Sequence, residues 1–477
     1  MSEISIKQAT IYNAMSKYGT MIVQLGLTMV LSRLILPEAF GVIAIITVVL
    51  GFLNLFADMG LGISVIQHPD MSKDDINKLF TFSFVVGLLL VVFTVALSVP
   101  LVSFYEDEVY YRLCALVAPV SFFNAVNVVP NAILTRDKRF KTIALRSIIC
   151  AVVSGIVAVA LAYIGWGVYA LIMQSIISAL FLFLWNYSLS PLKLIGFKTK
   201  TVLSLLGRYS LFQILFNFLN YFTRNLDHLL IGKYFGSASL GYYNKSYSLY
   251  LYPNSIFTSV ITGVLHPFIR DYENDYERMY EKYLQIEKFL SLIGIITMMV
   301  TFFCATEIVV VMFGENWEPA GVYLKCLSIC MWSQMISSVP GSVFLGLERT
   351  DQSFKCGLIN LALLIASIFI GVFNNSLTLL ALCVGVSYNL IFLITNYILL
   401  NKTMRISVIK FLRVLMPDAV FAFTFCGVTL LVPSFIKISI LSLIIKVAIC
   451  IVAYVIYLSL TGQIRSLINL LGLVKKK

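Results

Sequence analysis

Apolar stretches of about 20 residues follow one another along most of this 477-residue chain. A helix of that length crosses the ~30 Å hydrocarbon core of a bilayer, and lipid favours helices because every backbone polar group must be bonded internally. Hydrophobic residues make up 60% of the sequence and charged residues 12%, whereas soluble domains average about 45–50% and 25%. We therefore predict an all-α polytopic membrane protein.

The apolar runs predict about fourteen membrane spans. We expect the first to be a retained helix, because the polar segment before it has no cleavage site of the signal-peptide type. The predicted spans are 11–34, 40–66, 79–104, 110–134, 142–164, 166–188, 204–231, 239–267, 284–312, 319–347, 355–373, 376–400, 413–435 and 437–460.

Lysine and arginine are unevenly distributed between the two sets of connections. When the N-terminus is placed in the cytoplasm, most of the 35 basic residues fall in the inner segments. Cytoplasmic loops of membrane proteins are enriched in these residues, so both termini are predicted to be cytoplasmic. The net charge of +12 is then an orientation signal and requires no nucleic-acid partner.

The chain is similar to itself at an offset of 200 residues. Helices 1–6 and 7–12 are predicted to form two six-helix lobes, which are parallel because each contains an even number of helices. The predicted domains are an N-lobe (1–200), a C-lobe (201–402), and helices 13 and 14 with a basic cytoplasmic tail (403–477). The matched pairs include Arg33 with Lys233, Gly41 with Gly241, Asn54 with Asn254 and, after a small gap, Asn186 with Asn396.

Polar stripes run along helices 1 and 7. Spacings of three and four residues place their members on one helix face, which faces either a solvated cleft between the lobes or a hydrogen-bonded seam between helices. Arg224 favours the cleft, because an arginine inside a span costs at least ~2.5 kcal/mol. The stripes are Asn13, Lys17, Thr20, Gln24 and Thr28 in helix 1, and Gln213, Asn217, Asn220, Arg224 and His228 in helix 7.

Several charged residues have an ion pair as an alternative to a functional role. Asp227 follows Arg224 by three residues, so the two side chains can neutralise each other on one helix. Asp58 either pairs with Arg33 or acts as a protonatable coupling group. Lys233, which matches Arg33 in the repeat, is a further ion-pair or coupling candidate.

Catalytic chemistry finds no support in the sequence. It contains no nucleophile elbow, phosphate loop or paired metal motif, and it has only three histidines. The cysteines at 326 and 330 lack a second ligand pair, so packing is the better interpretation. We predict neither enzymatic activity nor a cofactor or metal.

Three segments resemble the Wzx-type polysaccharide flippases, near the WzxC branch of the multidrug/oligosaccharidyl-lipid/polysaccharide (MOP) exporter superfamily. They are LSRLILPEAFGVIAI (31–45), FADMGLGISVIQ (56–67) and RNLDHLLIGKYFGSASLGYYNKSYSL (224–249). The basic segment LTRDKRFK (134–141) also fits. The resemblance covers at least residues 1–400, and the fourteen-helix count extends it to the end.

The resemblance implies alternating access and export of an undecaprenyl-pyrophosphate-linked oligosaccharide across the bacterial inner membrane. Surface polysaccharide would be the product, whether O-antigen of lipopolysaccharide, capsule or exopolysaccharide, and the partners would be membrane lipids and the pathway's glycosyltransferases and polymerase. Arg224 suits the anionic pyrophosphate. Asn217, Asn220, Gln24 and Tyr221 would contact the glycan.

Two other functions remain open at this point. One is a cation-coupled multidrug exporter of the same superfamily, for which buried acids should dominate the cleft. The other is a non-transporting scaffold for a polysaccharide synthesis complex, which would have no need of polar stripes inside its spans.

Overall fold

The computed structural model describes residues 6–196, 209–271, 275–431 and 440–464, and within these ranges every regular element is helical. The chain divides into two compact units, Met1–Gly241 and Tyr242–Lys477. The predicted all-α architecture is confirmed. The seventh predicted span, 204–231, belongs to the first unit.

Within its described residues, the first unit contains eight complete helices and the start of a ninth. Gly236 interrupts the ninth, because its φ of 81° and ψ of 171° are not helical. The helices are α1 (Ile6–Leu34), α2 (Pro37–Asp58), α3 (Leu61–Gln67), α4 (Lys73–Ala96), α5 (Ser98–Tyr105), α6 (Val109–Arg136), α7 (Phe140–Tyr163), α8 (Val168–Leu189) and α9 (Tyr209–Asp271).

The second unit contains the end of α9 and a further series of helices. Short 3-10 and π segments, Glu315–Trp317 and Ile398–Met404, lie between them. The helices are α10 (Tyr276–Phe303), α11 (Ala305–Phe313), α12 (Ala320–Ser328), α13 (Met331–Ile336), α14 (Pro340–Gly346), α15 (Thr350–Phe373), α16 (Leu377–Tyr397), α17 (Val408–Leu431) and α18 (Ile440–Leu460).

Local sequence signals explain several helix ends. Pro37 opens α2, where a missing N–H costs nothing. Ser72 caps α4 by accepting a hydrogen bond from the Asp75 backbone at 3.1 Å, and Ser376 caps α16 through Leu379 at 3.2 Å. Such caps satisfy donors that the helix itself leaves open.

Ten helices of the described ranges are long and apolar enough to cross a membrane. The chain is therefore a multi-pass membrane protein, as predicted. α1 forms as a helix but is more polar than these ten, and the described part of the predicted span 204–231 and the whole of 239–267 fall in α9. The ten are Pro37–Asp58, Lys73–Tyr105, Val109–Arg136, Phe140–Tyr163, Val168–Leu189, Tyr276–Phe303, Asp351–Phe373, Leu377–Met404, Val408–Leu431 and Ile440–Leu460.

The predicted span at 319–347 is not one uninterrupted helix but consists of α12, α13 and α14. Pro340 lacks the N–H that would continue the preceding helix. Ser333 and Ser338 donate hydroxyl hydrogen bonds to the carbonyls of Cys330 and Met335, and such back-bonding competes with regular helix geometry.

The core of the first unit forms around α6, which packs against α2, α3, α4, α5 and α8. Side chains from α3, α4 and α6 make one apolar cluster of this core, which includes Leu61, Leu79, Phe80, Val126 and Val129.

The repeated glycines meet within the first unit. A Cβ added to Gly41 would lie 1.8 Å from the carbonyl oxygen of Ser237, and a Cβ added to Gly241 would lie 2.1 Å from that of Pro37. Both positions therefore require glycine. The two contacts are equivalent at the 200-residue offset, because Gly41 against Ser237 corresponds to Gly241 against Pro37. This reciprocity is expected of two segments related by a two-fold rotation.

Candidate functional site

The polar stripe of α1 lies on an exposed face. Asn13, Lys17 and Gln24 are exposed, whereas Thr20 and Thr28 are half-buried. α1 packs against α7, where Leu27 meets Gly155, but Asn13, Lys17 and Gln24 remain exposed beside this contact. The stripe is therefore not sealed in the α1–α7 contact.

A second exposed face of α1 is apolar. It carries Ile11, Met15 and Ile22, of which Ile22 is 70% exposed. At 100° per residue this face lies opposite the polar stripe. Two exposed faces of opposite chemistry suit lipid on one side and water on the other, because polar groups are costly against hydrocarbon.

Of the two α9 stripe residues whose side chains are described, Arg224 is exposed and His228 is buried. In the described part of the chain, no hydrogen bond or ion pair involves its side chain. Its stripe neighbours Gln213, Asn217 and Asn220 lie on the same helix, but their side chains are outside the described residues. Arg224 therefore offers a guanidinium whose five donors remain available for an anion.

The Arg224–Asp227 ion pair does not form. Asp227 is 8% exposed and its Oδ1 lies 2.8 Å from Nδ1 of His228, which is 5% exposed. The side chain of His228 is buried and bonded to its neighbour, and its role as a substrate ligand stays a prediction.

Tyr221 packs against α2. Its hydroxyl donates to the Val48 carbonyl of α2 at 2.6 Å, and its ring lies so close to Gly51 that a Cβ there would be 2.3 Å from the hydroxyl oxygen. The hydroxyl is thus bonded within the protein, and contact of the ring with a glycan stays a prediction.

Among the described residues, Asp58 and Arg33 do not form an ion pair, and the alternative of Asp58 as a coupling group stays a prediction. Asp58 Oδ1 accepts a hydrogen bond from the Gly62 backbone N–H at 3.3 Å. Met59 and Gly60, with φ of 39° and 81°, turn the chain between α2 and α3. This turn brings an N–H from the first turn of α3, which has no partner within its helix, to the carboxylate. Both Asp58 and Arg33 are exposed.

Lys233 forms an ion pair that the sequence did not reveal. Its Nζ lies 2.7 Å from Glu106 Oε1 and 5.6 Å from the centre of the Phe104 ring. The hydrogen bond from Lys233 and its positive charge lower the pKa of the Glu106 carboxyl from its usual value. The two residues are 127 positions apart, so no local pattern signals the pair.

A ladder of amides inside the first unit was likewise missed. Asn124 donates to Asn54 at 3.0 Å, and Asn186 donates to Asn127 at 2.7 Å. The spacing of the three α6 members, Asn124, Asn127 and Asn131, marks one helix face and was the available signal.

Arg146 closes this ladder in α7. It is 5% exposed and donates to Asn186 and, at 3.0 Å, to Asn131. Within the described residues it has no carboxylate partner, and its Nε has no hydrogen-bond partner. This buried arginine is structural, whereas Arg224 is exposed.

The apolar helices and exposed stripes define a polytopic α-helical membrane protein with a transporter fold. The chain superposes on the solved structure entitled "Lipid II flippase MurJ, inward closed conformation" with a TM-score of 0.74 and 14% identity, covering 95% of this chain and 99% of that one. At that identity the likeness establishes the fold.

The sequence matches the family described as "Polysaccharide biosynthesis protein" over residues 30–322, and the chain belongs to that family. The resemblance inferred from the sequence is therefore confirmed.

Two curated relatives cover most of the chain. The teichuronic acid biosynthesis protein TuaB of Bacillus subtilis (strain 168) is 25% identical over 73% of this chain and 72% of its own length. The lipopolysaccharide biosynthesis protein WzxC of Escherichia coli (strain K12) is 23% identical over 77% of this chain and 76% of its own.

Proposed function

We propose that this protein is a flippase for lipid-linked oligosaccharides in surface polysaccharide biosynthesis. It exports undecaprenyl-pyrophosphate-linked repeat units across the inner membrane by alternating access. Family membership, relatives named for teichuronic acid and lipopolysaccharide biosynthesis and the fold shared with a lipid II flippase support this proposal. The product is O-antigen, capsule or exopolysaccharide.

The exposed guanidinium of Arg224 is the observation that carries the proposal. A cation on a helix within a membrane protein requires water or an anion beside it, because exposure to hydrocarbon is costly. A pyrophosphate group supplies paired oxygens that match the planar guanidinium fork. Arg224 would therefore hold the charged end of the lipid carrier.

The polar side chains of the two stripes would bind the sugars. Asn13 and Gln24 are exposed on α1 and can both donate to and accept from hydroxyl groups. Lys17 adds positive charge on the same face. We assign Gln213, Asn217 and Asn220 to the same role on α9.

The proposal includes a topology. Fourteen spans would place both termini in the cytoplasm, with lobes at 1–200 and 201–402 and two added helices at 403–477. The positive charge of the predicted inner segments supports this orientation. Glycosyltransferases that build the repeat unit and a polymerase that consumes it would be functional partners.

The test compares Arg224→Ala, Arg224→Lys and Arg112→Ala in a strain that lacks the chromosomal gene. Arg112 is an exposed arginine at the start of α6 and serves as the matched control. Surface polysaccharide and accumulated lipid-linked precursor are measured together, with membrane levels of each variant equalised.

Arg224→Ala should reduce delivery about tenfold or more, because a hydrogen bond to a charged group contributes about 1.5–3 kcal/mol and 1.4 kcal/mol is a factor of ten. Arg224→Lys should retain part of the activity, and Arg112→Ala should retain all of it. Normal delivery by Arg224→Ala would remove this residue from the mechanism.

A drug-sensitivity assay in the same deletion strain separates this function from multidrug export. The exposed cation at Arg224 disfavours cationic drugs, so sensitivity should match that of the parent strain. A scaffold is separated by replacing Asn13 and Gln24 together with Leu, which should abolish transport but leave a scaffold intact.

A further inference from the structure

Glu287 is a fully buried carboxyl. It lies in α10, it is 0% exposed, and neither Oε1 nor Oε2 has a hydrogen-bond partner among the described residues. It also takes part in none of the ion pairs in that part of the chain. α10 is one of the helices long and apolar enough to cross a membrane.

The other buried acids of the second unit are compensated. Asp418 in α17 accepts hydrogen bonds from Lys288 at 2.6 Å and Ser291 at 2.5 Å, and also from Tyr457. Glu307 in α11 lies 2.5 Å from Nζ of Lys446. Glu287 alone among these three lacks such support.

An ionised carboxylate in that position would be severely unstable. Burial without a counter-ion or an established hydrogen bond among the described residues leaves such a charge poorly stabilised. A neutral carboxylic acid has a much smaller penalty. The observed surroundings therefore hold Glu287 in its protonated form.

Within the described residues, no cation on the helices that pack against α10 is positioned to stabilise an ionised Glu287. Lys446 and Lys288 are bonded to acids, and Lys325 of α12 lies 5.0 Å from the centre of the Phe302 ring. Lys410 and Arg413 of α17 are exposed. α13 and α16, which complete the surroundings, carry no charged residue.

Tyr283 is a second buried polar residue of α10. It lies four residues before Glu287, so both side chains lie on the same face of α10. Tyr283 is 2% exposed, and its hydroxyl donates to Asn396 Oδ1 of α16 at 2.6 Å. This hydrogen bond joins α10 to α16.

We propose that Glu287 is a proton-binding site, and that release of its proton switches the Tyr283 hydroxyl from Asn396 to the Glu287 carboxylate. The carboxylic O–H bond breaks and the proton passes to a water molecule that reaches the site. Tyr283 keeps its own proton and donates it as a hydrogen bond to the new anion. The tie between α10 and α16 is lost in the process.

The switch would link proton release to helix movement. This consequence rests on the proposed flippase function, since it makes the transport cycle respond to protons. The proton site itself needs no substrate, so it can be tested separately from transport.

Infrared difference spectroscopy of the purified full-length protein in detergent tests the proton site. The wild type should show a protonated carboxylic-acid C=O band that Glu287→Gln lacks and that Asp418→Asn retains. The band should disappear as pH rises. If wild type and Glu287→Gln have the same carboxylic-acid spectrum at all pH values, the proposal is overturned.

Tyr283→Phe tests the switch. Without the hydroxyl, the Glu287 anion loses its donor, so the pH at which the band disappears should rise by about one unit or more. An unchanged midpoint would overturn the switch. Because neither readout involves transport, normal flipping by Arg224→Ala would refute the proposed role of Arg224 without affecting this result.

Discussion

At the scale of single residues, two arginines in helices of the first unit have opposite environments. Arg146 is buried and bonded to amides, whereas Arg224 is exposed. The buried one is stabilised only by neutral oxygens within the described ranges, which are weaker partners for a cation than a carboxylate. Asn131 and Asn186 in turn depend on Arg146 as a donor.

Arg146→Ala should lower the free energy of unfolding by about 2 kcal/mol or more, because it leaves buried amide oxygens without a donor. Denaturant titration of the detergent-solubilised protein measures the change. Lys141→Ala, an exposed position on the same helix, should have almost no effect. Equal stability of the two variants would show that the ladder does not depend on the arginine.

At the scale of helices, close approach of the backbone fixes where α2 meets the segment that follows Gly236. Gly41 lies against Ser237 and Gly241 against Pro37, each within a distance that a side chain cannot share. Gly26 of α1 is a useful contrast, because a Cβ there would meet nothing within 4 Å.

Gly41→Ala and Gly241→Ala should each reduce stability by about 1–3 kcal/mol, since the added methyl group overlaps backbone atoms that must shift. Gly26→Ala should instead be neutral or stabilising by up to about 1 kcal/mol, because alanine favours the helix. Thermal unfolding midpoints of the three variants provide the comparison. A rise in midpoint for Gly41→Ala would contradict the observed contact.

Helices whose apolar runs have clear ends were predictable from the sequence. The predicted 142–164 and 166–188 differ by two residues or fewer from Phe140–Tyr163 and Val168–Leu189 at each end, because length and hydrophobicity determine spans of this kind. The break of 319–347 was not predicted, since serine back-bonding depends on geometry that composition does not specify.

The exposed members of the stripes, Arg224, Asn13 and Gln24, were found by helical spacing alone. The hydrogen bonds of Tyr221 and His228 were not predicted. The Tyr221 hydroxyl and the His228 ring nitrogen each bond to a partner that is placed by the folded chain. The Lys233–Glu106 pair and the amide ladder have the same origin. Spacing reveals which residues share a face, and tertiary contacts decide what that face meets.

At the scale of the whole molecule, ion pairs connect α17 and α18 to other helices of the second unit. Lys288 and Asp418 join α10 to α17 at 2.6 Å. Lys446 and Glu307 join α18 to α11 at 2.5 Å. Both acids are buried, so removing one partner of either pair would leave an uncompensated buried charge.

Lys446→Met should destabilise the protein by about 3–5 kcal/mol, because Glu307 is then buried without its counter-charge. The double variant Lys446→Met/Glu307→Gln should recover much of that loss, since no unpaired charge remains. Denaturant unfolding of both variants beside the wild type measures the difference. Equal losses in the single and double variants would rule out an electrostatic origin.

The reciprocal glycine contact has a consequence for how a chain of this kind arises. The Gly41–Ser237 contact corresponds to the Gly241–Pro37 contact in the repeat. The surface that makes one contact is therefore complementary to a second copy of that surface. A half-length ancestor with this surface would form a symmetric homodimer. Duplication and fusion of its gene would then preserve the interface, now inside one polypeptide.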